Sequence, residues 1–127
     1  MKLRGGVSGN TLVYRFPIMT IDGDPLDLTQ YEIAFTIKRS TQDADSAAMC
    51  QLLLTPNISG RGIRFPYSPT DGIVDVTIPS TVTAAMRIRR PYYYDLTIID
   101  TNDLVTTPFH GTISVLASVT SYVSVDS

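Results

Sequence analysis

The 127-residue sequence contains no tryptophan and a single cysteine, Cys50. One cysteine cannot form an internal disulfide, and a small buried thiol is the role expected of it. Cysteine this scarce also fits assembly in a reducing cytoplasm. The amino-terminal stretch lacks the apolar segment of a signal peptide, and no apolar run reaches the ~20 residues that a membrane-spanning helix needs. We therefore expect neither export by the common route nor insertion into a membrane.

Charge is also scarce. Charged residues make up 17% of the chain, whereas about 25% is usual for soluble proteins. The formal net charge is −2, so long-range electrostatics does not attract the chain to nucleic-acid phosphates. Low charge together with abundant Thr, Ser, Val and Ile favours strands, and it suggests that other protein covers part of the surface.

Apolar residues recur at every second position in successive short runs, which is typical of strands with one buried face. Pro17 cannot donate a hydrogen bond to a strand ladder, so the first run is predicted to be an edge strand or to bend there. Gly111 predicts a β-bulge in the last run. The predicted strands are residues 11–21, 31–38, 49–54, 63–65, 73–78, 91–100 and 105–123. The predicted core is Phe16, Phe35, Leu52, Val76, Tyr94, Leu96, Ile98, Ile113 and Val115. The apolar face of the last run also includes Ala117 and Val119.

Turn and loop signals separate these runs. Residues 22–25, 69–72 and 100–103 predict tight turns, and residues 39–48 and 55–62 predict exposed loops. Residues 79–86 predict a single helical turn, which Ser80 or Thr81 would cap. The pattern predicts one all-β domain over residues 1–127, a sandwich or barrel of about seven short strands. Residues 1–8 are expected to form a flexible arm and residues 121–127 a carboxyl-terminal tail.

Several of these signals form motifs in a definite order. Gly9-Asn10-Thr11 comes first, DGDPLDLT follows at residues 22–29, and IAFTIK occupies residues 33–38. TDGIV at 70–74, YYYDL at 92–96 and GTISV at 111–115 complete the series. This order resembles the immunoglobulin-like domains of tailed-bacteriophage structural proteins, above all the amino-terminal domain of baseplate upper proteins and related small virion proteins. The resemblance covers residues 9–120 and implies an immunoglobulin-like antiparallel β-sandwich. The RIRRP segment at 87–91 departs from it by replacing a short glycine-bearing turn.

The resemblance implies an accessory structural protein of a virion, assembled in the host bacterial cytoplasm. Its partners would be major virion proteins and copies of itself, and its place would be capsid decoration or cement, or the tail, baseplate or neck. The baseplate proteins continue beyond this domain and the given sequence does not, which favours decoration over receptor binding. The alternative is a carbohydrate-binding or adhesin-like sandwich that touches the host surface. For that role only tyrosines could supply an aromatic platform, since tryptophan is absent.

Residues 87–94 are the strongest candidate for an interface. Arginine and tyrosine are enriched at protein–protein contacts, so Arg87, Arg89, Arg90 and Tyr93 are predicted to face a neighbouring subunit. A nucleic-acid site would use the same residue types, but the acidic net charge disfavours it. A solvated basic turn is the remaining alternative. Residues 39–48 or the arm 1–8 are predicted to make further subunit contacts.

Side-chain alternation along a strand separates the three tyrosines. Tyr92 and Tyr94 point away from the side that Tyr93 faces, so at least one tyrosine belongs in the core. Tyr92 is a candidate tyrosine-corner residue, whose hydroxyl would fix a neighbouring loop.

Catalytic and metal-binding patterns are weak. His110 lacks the local context that activates a serine nucleophile, and we predict a binding or structural protein with no enzymatic activity. Asp22, Asp24 and Asp27 could bind Ca²⁺ through carboxylate oxygens, but aspartate and glycine also build turns by themselves, and the loop lacks the bidentate Glu of an EF-hand. We predict no metal, cofactor, small-molecule substrate, nucleic acid or membrane partner.

Overall fold

Two antiparallel sheets packed face to face enclose the core of the protein. The computed structural model describes residues 6–40, 42, 48–55 and 62–116. The strands are β1 (Gly6–Val7), β2 (Leu12–Pro17), β3 (Glu32–Lys38), β4 (Cys50–Leu54), β5 (Ile63–Arg64), β6 (Ile73–Ile78), β7 (Tyr92–Ile99), β8 (Val105–Ile113) and β9 (Val115–Leu116). A 3₁₀ turn (Pro69–Asp71) precedes β6, and a short helix, α1 (Ser80–Ala85), follows it.

The strand order is β4-β3-β7-β8 in one sheet and β2-β6-β5 in the other, and all neighbours within these sheets are antiparallel. The predicted all-β sandwich of about seven strands is thus confirmed. A small parallel ladder joins β1 to β9, which the sequence pattern did not indicate. Among the described residues, no helix is long and apolar enough to cross a membrane.

The core lies between the two sheets. Phe16 projects from β2 and meets three rings of the opposite sheet, with centroid distances of 6.1 Å to Phe35, 6.4 Å to Tyr94 and 5.0 Å to Phe109. All nine residues predicted for the core are buried. Period-two alternation predicted them correctly because each strand of a sandwich turns one face inward.

The prolines explain where strand pairing is irregular. β2 pairs only with β6 in the described part of the chain, so the prediction that Pro17 lies on an edge strand is confirmed. The bulge predicted at Gly111 is wrong, because Gly111 pairs regularly with Tyr94. The register shifts further along the ladder, where Thr107 and Pro108 face the single residue Thr97. Pro108 has no N–H to donate, which accounts for the bulge there.

The predicted helical turn is present as α1, but the predicted cap is wrong. Pro79 occupies the N-cap position without a side-chain hydrogen bond, and Ser80 and Thr81 lie inside the first turn. A proline just before the first turn is compatible with this position because its fixed φ suits helix entry. Thr83 has a different role: its hydroxyl, fully buried, bonds the Asn10 carbonyl at 2.7 Å and the Gly9 N–H at 3.1 Å.

The last residues of the predicted arm 1–8 pair with β9. Gly6 and Val7 form β1, and the Ser8 N–H donates to the Leu116 carbonyl at 2.9 Å, because extending the β9 ladder satisfies these backbone groups. Residues 1–5 lie outside the described residues, as do most of the predicted loop 39–48 and the tail 121–127. Ala117 and Val119, predicted for the last apolar face, also lie outside them. The predicted contacts of the arm and of the 39–48 loop with other subunits stay predictions.

Candidate protein interface

A tight turn at residues 87–90 carries the three arginines between α1 and β7. The Arg90 N–H donates to the Arg87 carbonyl at 3.3 Å, closing the turn. Ile88 bridges Val115 of β9 in parallel, and the Arg89 N–H donates to the Val115 carbonyl at 2.8 Å. The turn therefore lies against β9 and is held by backbone hydrogen bonds, which leaves its side chains free to project outward.

The buried side chain of Tyr92 holds this turn in place from the side of the core. Its ring is buried at the start of β7, and its hydroxyl accepts a hydrogen bond from the Arg87 N–H at 2.7 Å. The prediction that Tyr92 fixes a neighbouring loop through its hydroxyl is confirmed. The guanidinium of Arg90 lies 5.8 Å from the centre of the same ring, close enough for a cation–π interaction.

Arg89 has an unfavourable backbone conformation. Its φ of 63° lies in the left-handed region, which costs an ordinary L-residue roughly 1–2 kcal/mol and costs glycine almost nothing. Arg89 lies in the RIRRP segment, which replaces the short glycine-bearing turn of the domains that the motif order resembles. Strained backbone conformations at residues other than glycine are often found at functional positions. The strain at Arg89 therefore suggests that its side chain has a role beyond the turn.

The structure leaves all four candidate side chains at the surface. Arg87, Arg89 and Arg90 are exposed, and Tyr93 is 38% exposed on the outer face of β7. Ile88, between the arginines, is 48% exposed. We call residues 87–90 the basic corner. No acidic residue occurs from position 76 to position 94, so its charge is not balanced by residues nearby in the sequence.

Tyr93 also lines a shallow groove on the outer face of the four-stranded sheet. The groove has a volume of about 280 Å³ and spans β3, β7 and β8. Strand register places Thr36, Asp95 and His110 in one row across it, and Lys38, Tyr93 and Thr112 in the next. The sequence reasoning missed this groove. Alternation identified outward-facing positions, but it could not align residues on strands far apart in the sequence.

The other candidate groups do not converge on a site. His110 is exposed and pairs in register with Asp95, and among the residues that the structure describes no serine lines the groove beside it. The Asp27 carboxylate accepts hydrogen bonds from the hydroxyl and backbone N–H of Thr29, and these bonds lower the pKa of Asp27. Within the described ranges no three metal-ligating side chains meet, so Asp22, Asp24 and Asp27 do not form a ligand set.

A second charged feature, also missed from the sequence, lies on the outer face of the three-stranded sheet. Asp75 is only 2% exposed, and Arg15 donates to both carboxylate oxygens, from Nε at 2.8 Å and Nη2 at 3.1 Å. Arg64 pairs with Asp75 in register from the other side. Hydrogen bonding to Arg15 lowers the pKa of Asp75 against the opposing effect of burial.

The basic corner and the adjoining groove together present cationic, aromatic and aliphatic side chains on one side of the sandwich end. Comparison with models of known protein families gives no match, and no curated protein is significantly similar to the chain.

Proposed function

We propose that the chain is an accessory structural protein of a tailed-phage virion, an immunoglobulin-like module that docks on major virion proteins through its basic corner. Its place in the particle would be capsid decoration or cement, or the tail, baseplate or neck, and assembly would occur in the host bacterial cytoplasm. The order of motifs in the sequence suggested this role. Two aspects of the fold and one of the surface support it.

The strand order supports the immunoglobulin-like part of the proposal. In such domains the B, E and D strands share one sheet and C, F and G the other, with C′ next to C in some variants. The order β2-β6-β5 corresponds to B-E-D, and β4-β3-β7-β8 corresponds to C′-C-F-G. Tyr92 begins the strand equivalent to F and bonds backbone upstream of it, as a tyrosine corner does.

The basic corner carries the docking part of the proposal. A chain with few charges and a net charge of −2 presents three exposed arginines on one turn, and one of them holds a strained backbone. Arginine binds carboxylates through two parallel hydrogen bonds, and it is favoured at the centre of protein interfaces. A turn that only connected α1 to β7 would gain stability from glycine at position 89.

The experiment compares incorporation into particles with stability of the isolated protein. The double variant Arg87→Ala/Arg89→Ala leaves Arg90 on the Tyr92 ring, and Arg64→Ala, at an exposed arginine on the outer face of the three-stranded sheet, is the matched control. We expect unfolding free energies within about 0.5 kcal/mol of the unaltered protein. Copies per purified particle, counted by mass spectrometry, should fall about tenfold or more, as for loss of an interface hot spot. Normal incorporation together with normal stability would overturn the docking role, and residues 87–90 would then be a solvated turn.

The groove favours one alternative, a carbohydrate-binding module of the host surface. Tyr93 offers a partly exposed ring beside Lys38, Asp95 and His110, a combination that could stack on and hydrogen-bond a sugar. A glycan array separates the two functions. Binding by the isolated protein that Tyr93→Ala abolishes and Arg87→Ala/Arg89→Ala preserves would favour the sugar-binding function.

A further inference from the structure

A second exposed tip lies at the end of the sandwich opposite the basic corner. After β2 the chain turns back on itself, with Met19 bridging Pro25 and the Thr20 N–H donating to the Asp24 carbonyl at 2.7 Å. The Gly23 N–H closes the turn by donating to the Thr20 carbonyl at 2.9 Å. We call residues 19–24 the acidic tip. The Asp24 N–H also donates to the Thr20 hydroxyl at 3.3 Å, so the two ends of the turn are held together.

The surface of the acidic tip combines apolar and negative side chains. Ile21 is fully exposed and Met19 is largely exposed. Asp22 and Asp24 are exposed beside them. A fully exposed aliphatic side chain gains free energy when another surface covers it.

The basic corner has the complementary composition. Arg87, Arg89 and Arg90 supply positive charge, and Ile88 is a partly exposed aliphatic side chain among them. Leu116 is exposed next to Val115, the residue that Ile88 bridges. Each surface thus offers exposed aliphatic groups bordered by charges of one sign, and the two signs are opposite.

Strand register places the two surfaces at opposite ends of the molecule. In the β2–β6 ladder, Leu12 pairs with Ile78 at one end and Pro17 pairs with Ile73 at the other. The acidic tip follows Pro17, whereas the basic corner follows Ile78 through α1. Across the length of one sandwich the two surfaces cannot meet within a single copy. They can meet between two copies arranged in the same direction.

We propose that copies of this protein associate head to tail, with the acidic tip of one copy seated on the basic corner of the next. Such a contact joins two different surfaces, so it builds a ring if the rotation closes and an open chain if it does not. An open chain of copies keeps one free tip at one end and one free corner at the other, whereas a closed ring keeps neither. This inference rests on the proposed function, because it assigns a second copy of the protein as a partner of the same basic corner.

The test uses charge reversal on each surface separately. The tip variant is Asp22→Lys/Asp24→Lys, and the corner variant is Arg87→Glu/Arg89→Glu. In sedimentation velocity, the unaltered protein should form larger species as its concentration rises, and each variant alone should remain monomeric. An equimolar mixture of the two variants should form larger species again, because the reversed tip of one variant is complementary to the reversed corner of the other, and their unaltered surfaces are complementary as well. One chain carrying all four reversals should associate again.

Ionic strength and a neutral variant separate the two components of the contact. Association should weaken in high salt, since exposed charge pairs are screened. Ile21→Ser removes the exposed aliphatic group without changing charge, and it should weaken association about tenfold with unchanged monomer stability. Glu32→Lys reverses an exposed charge elsewhere and should leave association unchanged.

The outcomes distinguish this inference from the proposed function. An unaltered protein that stays monomeric at all concentrations, or folded variants that do not associate when mixed, would overturn head-to-tail association. If the unaltered protein is monomeric but the corner variant is excluded from particles, docking on virion proteins stands without self-association. If the mixed variants associate but the corner variant enters particles normally, self-association stands and the docking proposal falls.

Discussion

The hydroxyl of Tyr92 and the backbone N–H of Arg87 are joined by a 2.7 Å hydrogen bond that links the core to the basic corner. The ring of Tyr92 is buried between the sheets, while Arg87 projects into solvent five residues earlier. The orientation of the corner is therefore set by a side chain whose position the core determines. A displacement of the ring would move the arginines with it.

We expect Tyr92→Phe to destabilise the protein by about 1 kcal/mol, because it removes one hydrogen bond and leaves the Arg87 N–H without its partner. Urea unfolding followed by circular dichroism measures this. The matched control Tyr93→Phe alters a partly exposed ring and should change the unfolding free energy by less than about 0.5 kcal/mol. Equal effects of the two substitutions would contradict the structural role of the Tyr92 hydroxyl.

Arg89→Gly should stabilise the isolated protein by about 0.5–1 kcal/mol. Glycine removes the left-handed strain of roughly 1–2 kcal/mol from the folded state. Part of this gain is offset because glycine also increases the conformational entropy of the unfolded chain. Arg89→Ala keeps the Cβ atom and should not stabilise. The same urea titration tests both variants, and a destabilising Arg89→Gly would show that the arginine side chain supports the fold. Increased stability combined with weaker docking would identify Arg89 as a residue kept for binding.

Asp75→Asn should lower the unfolding free energy at pH 7 by about 1–2 kcal/mol, since charge-assisted hydrogen bonds to Arg15 are replaced by weaker ones. Because Arg15 lowers the pKa of Asp75 in the folded state, the stabilisation is complete above the unfolded aspartate pKa of about 3.9 and is lost as pH falls through the folded pKa. The difference in unfolding free energy between Asp75→Asn and the unaltered protein should therefore become smaller below about pH 4. Unfolding curves at pH 7 and pH 3 measure it, and a gap that widens on acidification would contradict the assignment.

Cys50 should be unreactive in the folded protein. Its side chain is buried on β4 opposite Ile37, and burial raises the pKa of its thiol, which leaves little of the nucleophilic thiolate near neutral pH. At pH 8 a colorimetric thiol reagent should label one thiol per chain, and only as urea unfolds the protein. The urea midpoint of labelling should equal the unfolding midpoint measured by circular dichroism. Immediate labelling without urea would show that β4 opens independently of the rest of the sheet.

Much of the local structure was predictable. The strand at residues 73–78 was predicted with its observed bounds, and the buried face of β7 follows from the alternation of Tyr92, Tyr94, Leu96 and Ile98. These features depend on residues adjacent in the sequence, for which alternation and turn chemistry are sufficient signals. The predictions for Gly111 and for Ser80 or Thr81 were wrong because glycine and hydroxyl residues have several structural uses, and only the strand register and the position of Pro79 select among them.

By itself the sequence determined the all-β class, the inward faces of the strands and the exposed, arginine-rich turn. Only the tertiary structure decided which strands are neighbours. That choice pairs Asp75 with Arg15 and Arg64, forms the groove beside Tyr93, and separates the acidic tip from the basic corner by the length of a sheet. The physical reason is that alternation specifies which face of a strand is buried, whereas pairing and register depend on how all the faces fill one core together.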